Sequence, residues 1–226
     1  MNSQAKALLA VLLVSLGASA PAFAQEGEPD PCLVLQPTRI APDDVGEAGE
    51  AGDHSGARWL GLVPDGNRWR LAPARVRFEP VQPEGGIVDI ESDLTKAVAL
   101  FRCKSLRPGK VDTANLAFPK DGTAIAPGAD PLRVGFRGRR YELRHTVSGA
   151  VIVEGGGKRS VLHDFGGSSP PFNASLIWAG DVDRDGRLDF LMEFESDLGA
   201  SFCLFTSGSA KENELVGAAG CMEVSG

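Results

Sequence analysis

Residues 180–189 read Gly-Asp-Val-Asp-Arg-Asp-Gly-Arg-Leu-Asp, and no other stretch constrains the chain as sharply. Asp181, Asp183 and Asp185 alternate along a short loop, Gly186 follows, and Asp189 returns a fourth carboxylate. In an extended loop every second side chain turns the same way, so the first three carboxylates can converge on one point. Gly186 supplies a backbone reversal that a Cβ would obstruct, and the carbonyl of Arg187 is placed to offer a further oxygen. Two carboxylates about 4 Å apart repel by about 1 kcal/mol in water and about 4 kcal/mol at an effective dielectric near 20. Such a cluster therefore calls for a cation. Hard oxygen donors in this number suit Ca²⁺, which takes about 6–8 of them. A solvated Asp/Gly turn is the plainer reading, but strict alternation followed by glycine and a fourth aspartate is hard to obtain from turn preference alone.

The flanks decide which kind of loop this is. An EF-hand needs helices on both sides and a glutamate where Met192 stands. Here Leu176, Ile177 and Trp178 lead in, and Leu188, Phe190, Met192 and Phe194 lead out on one face, a period of two broken only by Leu191. The spacing predicts strand–loop–strand. The run Ala179–Leu191 resembles the calcium-binding core of the FG-GAP/VCBS-type repeat, which carries D-x-D-x-D-G-x-x-D between two strands of a propeller blade. The resemblance implies Asp181, Asp183, Asp185 and Asp189 as side-chain ligands, with Arg187 giving its carbonyl. Phe165-Gly166-Gly167 upstream is similar to the Phe-Gly half of that family's name. The motif occurs once, whereas a propeller repeats its blades. The expectation is therefore a single β domain carrying one such hairpin.

The rest of the chain also reads as short strands. Arg58–Val63 and Arg68–Leu71 flank a Pro64-Asp65-Gly66-Asn67 turn, a hairpin signal. Cys32–Leu35 and Ala74–Pro80 read as further strands. Asp93–Leu106 fits a helical stripe or a buried strand, and strand is preferred. Pro108–Asp130 reads as loop with two short apolar pieces. Strands near Leu132–Phe136, Arg139–Thr146, Ala150–Glu154 and Lys158–His163 form a meander punctuated by glycines, and Pro170-Pro171 separates it from the Asp181–Asp189 hairpin. Ser201–Thr206 adds a strand, and Glu214–Val216 with Cys221–Val224 closes the chain. No long amphipathic helix is evident, so the fold class is all-β, a sandwich or partial propeller-like domain of short antiparallel strands.

Residues 1–24 combine Lys6, the apolar run Ala7–Leu16 and an Ala22-Phe23-Ala24 box, the pattern of a secretory signal peptide. Residues 25–56 form a flexible N-terminal segment, acidic and rich in Gly and Ala across Pro42–Gly56. Residues 57–226 form the β domain. Secretion or a periplasmic location makes disulfides permissible. Four cysteines allow three pairings, of which Cys32–Cys103 with Cys203–Cys221 is favoured because the last two flank one short segment. The chain has 23 Lys+Arg against 30 Asp+Glu, net −7. Removing the signal segment takes away only Lys6. An acidic surface argues against nucleic acid, whose binders show a basic footprint. After signal removal no apolar run is long enough to span a membrane.

Other constellations are weaker. Arg133, Arg137, Arg139, Arg140 and Arg144 crowd one hairpin and suit an anionic surface partner, or else a solvated strand face. His163-Asp164 with the many serines invites a hydrolase reading, but no G-x-S-x-G elbow occurs and adjacent strand residues face apart. His54 reads as solvated, and Trp59, Trp69 and Trp178 as core residues before a sugar platform. Asn173-Ala174-Ser175 is a sequon in hosts that glycosylate. The reading is a secreted or periplasmic β protein with one structural calcium ion and an interaction or adhesion role, leaning away from an enzyme. The alternative is an exported hydrolase or carbohydrate-binding module braced by calcium.

Overall fold

The computed structural model describes residues 32–37, 39–40, 58–80, 88–116, 122–166 and 172–225. The signal segment, Pro42–Gly56 with His54, and Pro170-Pro171 lie outside the described residues. The first strands are β1 (Leu33–Leu35), β2 (Arg39–Ile40), β3 (Trp59–Asp65), β4 (Arg68–Ala74), β5 (Val76–Pro80) and β6 (Val88–Ser92). Next come β7 (Ala99–Arg102), β8 (Gly109–Thr113), β9 (Thr123–Ala124), β10 (Leu132–Phe136), β11 (Arg139–His145), β12 (Ala150–Gly155) and β13 (Lys158–Asp164). The last are β14 (Asn173–Asp181), β15 (Asp189–Ser196), β16 (Gly199–Thr206) and β17 (Gly217–Ser225), with a 3₁₀ turn at Ser207–Ser209. Among the described residues the protein is all-β and every strand pairing is antiparallel, as the sequence pattern predicts.

Ten strands form one sheet in the order β1-β7-β3-β4-β8-β14-β15-β16-β17, with β9 also pairing β14. Its ends meet. The Cys32 amide donates to the Ala219 carbonyl at 3.2 Å, which brings β1 against β17 and makes the sheet a nearly closed barrel. Closure of this kind removes the unpaired edges that antiparallel sheets otherwise leave. Strands β10–β13 form a separate meander, and β2, β6 and β5 a third small sheet.

Two apolar cores result. Trp59, Leu62, Leu71, Phe101, Trp178, Leu191, Phe202 and Leu204 fill the barrel. Val134, Tyr141, Leu143, Val151 and Val153 of the meander pack on Leu176, Phe190, Met192, Phe194, Cys203 and Phe205. Strands β14–β16 are thus buried on both faces, and neighbouring residues alternate between the cores. Leu191, the residue that breaks the period of two in β15, goes to the barrel while Phe190 and Met192 go to the meander. A bulge between Leu176 and Trp178 lets Ile177 and Trp178 both serve the barrel core.

The differences from the sequence pattern have physical causes. Gly109–Thr113 lies in the stretch read as loop, yet it is β8, which joins β4 to β14 through Trp69↔Val111 and Asp181↔Asp112. Only Val111 of this strand is buried, so no alternation announces it. The sequence pattern does not announce β6 either. It pairs with β5 and β2 in the small sheet. Residues 32–35, placed in the N-terminal segment by the sequence pattern, belong to the large sheet through β1↔β7 pairing. Both favoured disulfides are present: Cys32–Cys103 closes the longer loop, and Cys203–Cys221 joins directly opposed residues of β16 and β17.

Candidate metal centre

The Asp181–Asp189 loop is the hairpin connection between β14 and β15, and buried apolar residues hold both its ends. Val182 packs into the barrel core and Leu188 into the meander core, each 1% exposed. Gly180 precedes the loop where β14 crosses β8, and a Cβ there would strike the Asp112 carbonyl and the Trp178 ring. Gly186 has φ +89°, a conformation open to glycine. Arg184 also lies in the left-handed region, at φ +66°. Its guanidinium is anchored, with Nε donating to the Lys110 carbonyl and Nη2 to the Arg107 carbonyl, each at 3.1 Å.

Asp181, Asp183 and Asp189 converge, each offering a carboxylate oxygen within 4.8 Å of the others. Asp189 is fully buried. Its Oδ2 accepts from the Val182 amide at 2.8 Å and its Oδ1 from the Ser207 amide at 2.9 Å. Asp181 is 2% exposed. Its Oδ2 accepts from the Gly186 amide at 2.9 Å and meets Arg137 Nη2 at 3.2 Å, while its Oδ1 is buried with no hydrogen-bond partner. Asp183 Oδ1 accepts from the Asp185 amide at 3.1 Å, a turn within the loop.

Asp185 does not join this triplet. Its carboxylate accepts from the Arg187 amide at 2.8 Å, from Arg187 Nε at 2.9 Å, and from the Ser207 hydroxyl. Arg187 thus sits at the loop with its side chain folded onto Asp185.

The titration of the four carboxyls divides in the same way. Burial pushes Asp189 well above the usual carboxylate range, and the nearby Asp183 charge pushes it further. Burial likewise raises Asp181 and Asp183, against the Gly186 amide for the first and the Asp185 amide for the second. Burial raises Asp185 too, but the Ser207 hydroxyl and the Arg187 amide and guanidinium outweigh it, and the net direction is down. Three carboxyls are therefore held where negative charge is costly, and a buried lone pair on Asp181 has no donor. A cation with oxygen-ligand preference would correct both. The residues present could hold a metal ion.

Three partners of the site escaped sequence reasoning because they arrive from distant strands. Ser207 follows β16, Asp112 lies in β8, and Arg137 is the tip of the β10–β11 turn. Arg137 adopts φ +45° and its Nη2 reaches Asp112 at 2.5 Å as well as Asp181. Of the arginine-rich hairpin, Arg137 thus serves the Asp181–Asp189 loop. Arg133 and Arg144 pair with Glu142 at 3.6 and 2.6 Å, and Arg144 also with Glu154 at 3.6 Å. Arg139 and Arg140 are exposed.

The histidines are arranged differently. His145 is buried, and its Nδ1 donates to the Ile125 carbonyl at 2.9 Å. His163 stacks on Phe194 at 4.5 Å and lines a depression of about 360 Å³ with Asp164 and Glu223, and burial lowers its pKa. Trp59 and Trp178 are core residues, and Trp69 packs edge-on against Trp178.

The chain matches no family model, no curated protein and no solved structure.

Proposed function

We propose that the protein is an exported β-barrel-like module that binds one calcium ion in the Asp181–Asp189 loop, where the ion braces the fold. The observation that carries this is the convergence of Asp181, Asp183 and Asp189 with a buried, undonated Oδ1 on Asp181. Three carboxylates supply at most six oxygens when bidentate. The Arg187 carbonyl and water remain as further donors, while Asp185, which the resemblance to the FG-GAP/VCBS loop implies as a ligand, would have to leave Arg187 and Ser207 to join them. Calcium is preferred to magnesium because a cluster of carboxylates on a loop suits a large, adaptable coordination shell better than a strict octahedron with retained waters. Export is supported by the Lys6–Ala24 signal pattern and by two disulfides, which persist in oxidising compartments. The role at the cell surface or in the periplasm is interaction or adhesion, with the ion acting on stability and not on chemistry.

Calorimetric titration of metal-free residues 25–226 with CaCl₂ tests the reading. One calcium per chain, with a dissociation constant at or below about 1 mM and magnesium markedly weaker, is expected of an extracellular site. Absence of saturable calcium binding up to about 10 mM, well above that range, would overturn it.

A further inference from the structure

A row of cations crosses the outer face of the barrel beside the Asp181–Asp189 loop. Arg70 in β4 and Lys110 in β8 are direct cross-strand partners. Leu71 and Val111 belong to the barrel core and Trp69 packs against it, so alternation sends Arg70 and Lys110 outward, with Arg68 two residues back along β4. All three are exposed. Like charges directly opposed on a strand pair stand about 5 Å apart and repel. Nothing in the fold relieves this pair. Arg70 has the buried Val63 as its partner on β3, and among the described residues neither Arg70 nor Lys110 has a side-chain hydrogen bond or an ion pair.

The loop extends the row. Arg184 Nε donates to the Lys110 carbonyl and Nη2 to the Arg107 carbonyl, which sets an exposed guanidinium beside Lys110. The carboxylates nearby are engaged elsewhere, Asp112 and Asp181 by Arg137 and Asp185 by Arg187. Asp65 opposes Arg68 at the end of the row. Arg70, Lys110 and Arg184 thus present positive charge without a carboxylate partner among the described residues, in a chain of net −7. They come from two strands and a loop on the outside of the barrel, a placement that suits an extended polyanion better than an enclosed small molecule. Guanidinium forks take carboxylate and sulfate oxygens alike. Trp69, the aromatic residue within the row, packs inward, so no ring is offered to stack on a nucleobase. For an exported protein, polyanions of this kind are the acidic polysaccharides of cell surfaces.

We propose that Arg70, Lys110 and Arg184 bind a stretch of anionic polysaccharide, with its carboxylate or sulfate groups lying along the row. The proposal does not depend on the calcium reading. The test is titration of the chain, in about 50 mM NaCl, with dextran sulfate, carboxymethyl-dextran and uncharged dextran, which share one backbone, and with a short DNA duplex. Expected is saturable binding of a charged dextran, tighter than dextran by about tenfold or more, that weakens by about tenfold or more when NaCl is raised to about 200 mM. The tighter of the two charged polymers identifies sulfate or carboxylate as the recognised group. The double change Arg70→Gln, Lys110→Gln should weaken that binding by about tenfold or more. Its ligand-free melt should be unchanged or raised, because a like-charged pair is relieved. Arg159→Gln on the meander should leave binding as it was. Absence of charge-dependent binding, or a double variant that binds no more weakly than Arg159→Gln, would overturn the proposal. A DNA duplex bound as tightly as the charged dextrans would overturn it in favour of a nucleic acid.

Discussion

Asp183→Asn separates a metal site from a solvated turn because it should reverse the order of two melting temperatures. Asn keeps the Oδ1 acceptor that takes the Asp185 amide at 3.1 Å, so the local turn survives. It removes one of three charges that lie within 4.8 Å of one another. At that separation each repulsion is about 3 kcal/mol for an effective dielectric near 20. Asp183 is only half-buried and water screens it, so the relief without metal is nearer 1 kcal/mol. For a domain of this size that corresponds to roughly 2–4 °C of added melting temperature in EDTA. With calcium the sign changes. At about 10 mM Ca²⁺ and a dissociation constant of about 0.1–1 mM, binding stabilises the parent chain by about 1.4–2.7 kcal/mol, or roughly 3–10 °C. The variant, short of one ligand charge, should lose most of that gain. Thermal melts followed by circular dichroism in EDTA, calcium and magnesium read both effects. The variant should melt above the parent in EDTA and below it in calcium. If the two chains keep the same order in both buffers, the carboxylates are not acting as calcium ligands.

Other perturbations follow from the same contacts. Asp181, Asp183 and Asp189 have folded pKa values raised by burial, so each costs stability above its unfolded value near 3.8 and the cost is complete above its folded value. In EDTA, stability should therefore rise as the pH is lowered from 7 towards that unfolded value. The calcium-dependent increment should shrink over the same range as protons compete for the ligands. Asp185, lowered on balance, contributes in the opposite sense and is lost only at more acidic pH. Arg137→Gln removes the guanidinium that meets Asp181 at 3.2 Å, so calorimetry should find tighter calcium binding and melts in EDTA should fall. The double change Cys203→Ala, Cys221→Ala opens a loop with a sequence separation of 18 and should cost about 3 kcal/mol, read from denaturant midpoints under non-reducing conditions.

The sequence carries the hairpin and its carboxylates because both are local: alternation brings Asp181 and Asp183 together, and Gly186 turns the chain so that Asp189 meets them. The meander is legible for the same reason, since each of its turns lies beside the strands it joins. Strand β8 is not legible, because Gly109–Thr113 is polar and owes its form to partners on both sides. Burial of β15 on two faces hides as a flaw in a period of two, at Leu191. Asp185 illustrates the remaining limit. Spacing puts it among the ligands, but Ser207 reaches it from the far end of β16, a contact between residues that no local pattern relates.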